Sequence, residues 1–212
     1  MKNVVKALIA AIGLSACVAP QNNSLSVLPA YNIKQQHATV RVEASPEPAE
    51  RIKLYSFIDA DATKEKPVDF ENMYGEVRLS YSLGGLAEVL TSLSAAAEYN
   101  GGNGLDDTVR FGPMFGKELW KGNFTAAKFF PVEVTEEKGM QVCFYVSQDI
   151  GDRVTASLLG EYNLKPKELY GEAEVGVKIT DNISAVGQAR ILVPHKGSDT
   201  EVAPVVGVKY GF

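Results

Sequence analysis

From residue 51 to the end of the chain, apolar and polar residues alternate in segments of about ten, separated by turn-forming residues. The run ELYGEAEVGVKIT (168–180) sorts most cleanly. Leu169, Gly171, Ala173, Val175, Val177 and Ile179 occupy one phase; Glu168, Tyr170, Glu172, Glu174, Gly176, Lys178 and Thr180 occupy the other. A helix brings residues three and four apart onto one face and would mix the two sets, so the segment predicts a strand with two unlike faces. RVTASLLGEYN (153–163), MYGEVRLSYS (73–82) and the stretch 183–194 repeat this sorting. Together such runs predict about ten strands, over 51–61, 73–83, 88–100, 108–116, 123–133, 140–149, 153–163, 168–180, 183–194 and 200–212. Tight connections such as Gly151-Asp152 and Asp181-Asn182 alternate with polar ones such as TKEKPVDFEN and GGNGLDD, the pattern of an up-and-down meander.

Alternation alone fits either a soluble barrel with an apolar pocket or a membrane barrel with an apolar exterior. The distribution of charge favours the second. The apolar phase of the best strands carries no charge, and Lys or Arg on the lipid face of such a barrel costs about 2–4 kcal/mol at mid-membrane. The polar phase holds charges of both signs, among them Asp59, Glu98, Glu161 and Lys209, which can pair across neighbouring strands. The expected fold is a closed all-β antiparallel transmembrane barrel over 51–212. Lys53, Glu76, Arg78, Arg110, Glu172, Glu174, Lys178 and Arg190 would line its lumen and set its constriction. Two stretches resist. Pro113, Pro131 and Pro204 each remove a ladder hydrogen bond from a strand. In NFTAAKFFPVEV, placing Lys128 inside also turns Phe124 and Phe130 inward, which predicts a bulge or a shifted boundary there.

The amino end differs from the rest. Lys2 and Lys6 precede an apolar run from Ala7 that is too short for a stable membrane span, as in an export signal over residues 1–16. Leu14-Ser15-Ala16-Cys17 follows and resembles the lipobox of bacterial lipoproteins, which implies a lipid on the Cys17 thiol. That would leave Cys143 without a partner for a disulfide. Residues 17–50, with Pro20, Pro29, Pro46 and Pro48 and little periodicity, suggest a tether containing at most one short strand, ATVRVEA. At the other end, Gly207-Val208-Lys209-Tyr210-Gly211-Phe212 resembles the β-signal of small outer-membrane barrels. The resemblance implies that Gly207, Tyr210 and Phe212 are read by the barrel-assembly machinery and that the chain sits in bacterial outer-membrane lipid.

With 21 basic against 26 acidic residues and a net charge of −5, the chain lacks the basic clustering of a nucleic-acid binder. Catalytic and cofactor motifs are absent: no phosphate loop, metal-ligand cluster or nucleophile elbow is present, so no cofactor is expected. His195 shares the segment HKGSD with Ser198 and Asp199, but the spacing lacks the motifs of lipid A deacylases and omptins. Asp59 and Asp61 are expected as solvated rim carboxylates rather than a cation site, and Trp120 as a rim anchor. The reading that follows is a porin-like, narrow channel for small solutes and not an enzyme. The alternatives are a structural or adhesive barrel, a lipid-modifying enzyme centred on His195, and a soluble periplasmic lipoprotein with a β-sandwich.

Overall fold

The computed structural model describes residues 24–34, 37–47, 49–62, 73–84, 92–102, 105–135, 138–194 and 199–212. Its strands are β1 (Ser24–Asn32), β2 (His37–Ser45), β3 (Ile52–Ala62), β4 (Met73–Ser82), β5 (Leu93–Gly102), β6 (Leu105–Lys117), β7 (Asn123–Phe130), β8 (Val132–Glu133), β9 (Gln141–Ile150), β10 (Val154–Asn163), β11 (Glu168–Lys178), β12 (Ile183–Val193) and β13 (Glu201–Gly211). Every pairing is antiparallel, and each long strand pairs with its neighbours in sequence until β13 meets β1. Twelve strands close the barrel, with the two residues of β8 prolonging β7 beyond Pro131.

The strand boundaries from β3 onward match the alternation in the sequence to within three residues, apart from the expected start at 88, which lies outside the described residues, but the amino end needs correction. Residues 24–45, expected within the tether, form the hairpin β1–β2, and β1 supplies the edge on which β13 closes. The wall therefore begins at Ser24 rather than residue 51, which accounts for two strands beyond the ten expected. Closure explains why the hairpin is retained: without it β3 and β13 would each present an open row of backbone donors and acceptors, which hydrocarbon cannot satisfy. The segment GGNGLDD is also less of a loop than expected, since β5 runs to Gly102 and β6 resumes at Leu105 across a register shift. Cys17 and His195 lie outside the described residues.

Pro113 and Pro204 stand in regular register with Ala95 and Ala189, whereas the interruption at Pro131 is resolved by a local shift. Between β6 and the β7–β8 strand the register advances by one residue across Phe129, Phe130 and Pro131, a β-bulge. Opposite it, a Cβ on Gly112 would fall 2.0 Å from the Phe129 carbonyl oxygen, so the backbones approach too closely for any side chain. The bulge lets Lys128 and Phe130 face inward while Val132 faces out and Glu133 faces Arg110. Gly207 has a similar role at the seam, where a Cβ would lie 2.6 Å from the Pro29 carbonyl oxygen.

The register fixes which side chains share a face. Leu54, Leu79 and Ala97 are successive partners on one side; Arg78, Glu98 and Arg110 are partners on the other. Followed around the barrel, the outward phase is almost free of charge. Among the described side chains only Asp107 and Lys117 break it, both towards the ends of β6. Val175, Val177 and Ile179 are exposed on the outer surface, as are Leu158, Phe144 and Val208. Outward aromatics flank this belt: Tyr81, Phe115, Trp120, Tyr210 and Phe212 towards the rim bearing the chain ends, Tyr31, Phe129 and Tyr162 towards the other. This is the exterior that a bilayer requires.

Candidate functional site in the barrel lumen

The inward phase encloses a cavity of about 750 Å³. Its wall on β4–β7 and β10 is a single network of ion pairs. Glu98, whose side chain is 1% exposed, accepts from Arg78 Nε at 2.9 Å and from Lys128 Nζ at 2.8 Å, with Arg110 at 3.8 Å. Asn100 donates to its second oxygen at 2.9 Å, and Tyr74 in turn donates to Asn100. Arg78 also pairs with Glu76, and Lys128 reaches Glu161 at 3.6 Å. Behind them, Arg110 and Gln141 both donate to the side-chain amide oxygen of Asn163. Cross-strand register creates the cluster: Arg78, Glu98 and Arg110 stand side by side on three adjacent strands, and Lys128 and Glu161 continue the belt two strands apart, with Cys143 between them.

The opposite wall is built from separate pairs. Arg41 donates twice to Asp59, at 2.7 and 2.8 Å, and its guanidinium lies 4.5 Å from the centre of the Phe57 ring. Lys209 pairs with Glu43 at 3.0 Å, while Tyr55 and Ser26 also donate to Glu43. Arg190 pairs with Glu172 at 3.2 Å, and Tyr170 donates to the same carboxylate. Glu174 accepts from the Gln188 amide. Near the seam the interior turns apolar, with Leu28, Ala30, Val186 and Val205 packed together.

Six of the eight expected lumen residues take part in these two walls: Glu76, Arg78 and Arg110 in the network, Glu172, Arg190 and Glu174 opposite. The other two take part in neither wall. Lys53 lines the cavity at its rim, where it pairs with Glu47 and is largely exposed. Lys178, at the end of β11, bonds Asp181 in the following turn; that hydrogen bond and charge hold the Asp181 carboxyl below its ordinary value. Both side chains reached water because a strand end offered it. Asp59, expected as a solvated rim carboxylate, is instead mostly buried and held by Arg41; the Asp61 side chain lies outside the described ones. Trp120 is exposed in the turn before β7, its indole donating to Gln148.

Glu98, Lys128, Glu161, Arg41 and Glu43 were not among the expected constriction residues. Arg41 and Glu43 were visible as the polar phase of ATVRVEA. Glu98 and Glu161 were visible as inward charges, but no periodicity reveals that Glu98 is the hub.

At the seam, Tyr210 and Phe212 stack edge to face with ring centres 4.6 Å apart, and the Phe212 amide donates to the Leu25 carbonyl. The end of the chain is thereby bound to β1, the last strand pair needed for closure.

A closed antiparallel barrel with a nearly charge-free exterior, aromatic flanks and an ion-paired interior defines the class of outer-membrane β-barrels. Solved structures agree. The KdgM porin superposes with a TM-score of 0.61 at 14% identity, covering 89% of this chain and 99% of that one. Outer membrane phospholipase A from Escherichia coli gives 0.61 at 12% identity, covering 90% and 97%. The COG4313 outer membrane channel from Pseudomonas putida F1 gives 0.54 at 9% identity, covering 92% and 97%. No protein-family model and no curated sequence matches the chain. At these identities the likeness is one of fold.

Proposed function

We propose that the chain is a porin-like channel of the bacterial outer membrane, passing small hydrophilic solutes through its lumen. The observation that carries this reading is the combination of a lipid-compatible exterior with an ion-lined interior cavity of about 750 Å³. A structural barrel has no need of a hydrated interior, whereas polar side chains facing a lumen keep water in the path. Glu76, Arg78, Arg110, Glu172, Glu174 and Arg190, joined by Glu98 and Lys128, set its polarity and narrowest section. The KdgM porin, of the same fold, has been solved in complex with disordered oligogalacturonate, which supports a solute-handling role. Purified, folded protein in planar bilayers is expected to give discrete conductance steps; electrically silent bilayers would leave the structural or adhesive role.

The fold is as similar to the phospholipase as to the KdgM porin, so lipid modification is the second reading. It centres on His195, and an unchanged lipid A profile in cells carrying His195→Ala would end it. Two features of the sequence complete the proposal. Cys17 carries a lipid after removal of residues 1–16. Palmitate labelling lost on Cys17→Ser tests this. Gly207, Tyr210 and Phe212 present the last strand to the assembly machinery.

A further inference from the structure

The arrangement of charge inside the lumen bears on which solutes the proposed channel favours. Among the described residues, every basic side chain lining the cavity already has a carboxylate within ion-pair distance: Arg41, Lys53, Arg78, Lys128, Arg190 and Lys209 are all engaged. A carboxylate or phosphate entering the lumen meets an internal carboxylate wherever it meets a cation. It must displace that partner or lie beside it, so attraction and repulsion nearly cancel.

Glu174 departs from this pattern. It lines the cavity, and its hydrogen bond comes from an uncharged amide, Gln188. No basic group among the described residues lies within ion-pair distance of it; Lys209, close enough to feel its charge, is bonded to Glu43. Its partners across the ladder are Ser157 on one side and Gln188 on the other, neither able to neutralise it. The six basic lining side chains are matched in number by six other lining carboxylates, and Glu174 remains as the source of an uncompensated field.

Resting on the channel reading, we infer that the lumen favours neutral hydroxylated solutes and small cations over anions, with Glu174 setting the sign of the preference. A single uncompensated charge several ångströms from the conduction path in a hydrated lumen gives a permeability ratio of roughly threefold for potassium over chloride. Uncharged sugars need only exchange hydrogen bonds with water and lining hydroxyls, among them Tyr55, Tyr74 and Tyr170.

The test uses the full-length folded protein in planar bilayers under a potassium chloride gradient, and in liposomes swelling in glucose or glucuronate, which match in size and differ in charge. The expected results are a reversal potential on the potassium side and faster swelling in glucose. Glu174→Gln should move the reversal potential to near zero, and Gln188→Lys, which places a base beside Glu174, should do the same by a different route. Asp59→Asn, which frees Arg41, should move it towards chloride. A chloride-selective wild type, equal entry of glucuronate and glucose, or a reversal potential indifferent to both the Glu174 and Gln188 substitutions overturns the inference while leaving the channel standing. Absence of both conductance and swelling overturns the channel reading, and this inference with it.

Discussion

Replacement of Glu98 by Gln tests the ion-pair network where its coupling is greatest. The substitution keeps the shape of the side chain and removes the charge at which Arg78, Lys128 and Arg110 converge at 2.9, 2.8 and 3.8 Å. Removing one partner of a buried ion pair costs about 3–5 kcal/mol, because the other charge stays buried without compensation. Arg78 retains Glu76 and Lys128 retains Glu161, so the lower end applies, about 3 kcal/mol. Equilibrium unfolding in urea from lipid vesicles, followed by the fluorescence of Trp120, the one tryptophan, gives the loss directly. Lys128→Met should recover part of it in the Glu98→Gln background, with a coupling energy of about 1–2 kcal/mol in the double-mutant cycle. Asp181→Asn is the matched control: its pair with Lys178 lies in a turn with the carboxylate 94% exposed, and the unfolding midpoint should not move. If Glu98→Gln behaves like Asp181→Asn, the network is hydrated and the account of a tightly paired wall is wrong.

Three further outcomes follow from the same geometry. Val175→Arg, on the exposed outer face, should cost about 2–4 kcal/mol in vesicles if it sits near mid-membrane, measured by the same urea titration. Gly112→Ala forces a Cβ to within 2.0 Å of the Phe129 carbonyl and should abolish the heat-modifiable gel mobility of a folded barrel; Gly160→Ala, with open space around it, should not. Deleting Phe212 removes its ring contact with Tyr210 and the hydrogen bond its amide donates to the Leu25 carbonyl, so folding into vesicles should slow, read as delayed appearance of the heat-modifiable band.

Much of the barrel was legible because its strands contrast lipid with lumen. In β11, Val175 and Val177 face out while Glu172 and Glu174 face in, and period two follows. β1 offered no such contrast. Its outward Leu25, Val27, Pro29 and Tyr31 alternate with inward Leu28 and Ala30, which pack on Val186 and Val205 where the interior is apolar. An apolar patch on both sides of a strand erases the pattern, and the prolines around it deepened the likeness to a linker. β7 was obscured differently: Phe124 and Phe130 share the inward phase with Lys128, and the bulge at Pro131 reverses the phase four residues later. Of the site, the identity of inward charges was available from alternation, but their pairing was not. That depends on lateral register, which places Arg78 and Arg110 on either side of Glu98 and leaves Glu174 between Ser157 and Gln188.

The central claim is that the apolar phase meets lipid and the charged phase meets the lumen. Spin labels placed one at a time at residues 172 to 177, in a Cys143→Ser background and reconstituted in vesicles, report it residue by residue through collision with oxygen, which concentrates in lipid. The account predicts high oxygen accessibility at 173, 175 and 177 and low values at 172, 174 and 176. Uniform values along the strand, or the opposite alternation, would contradict it.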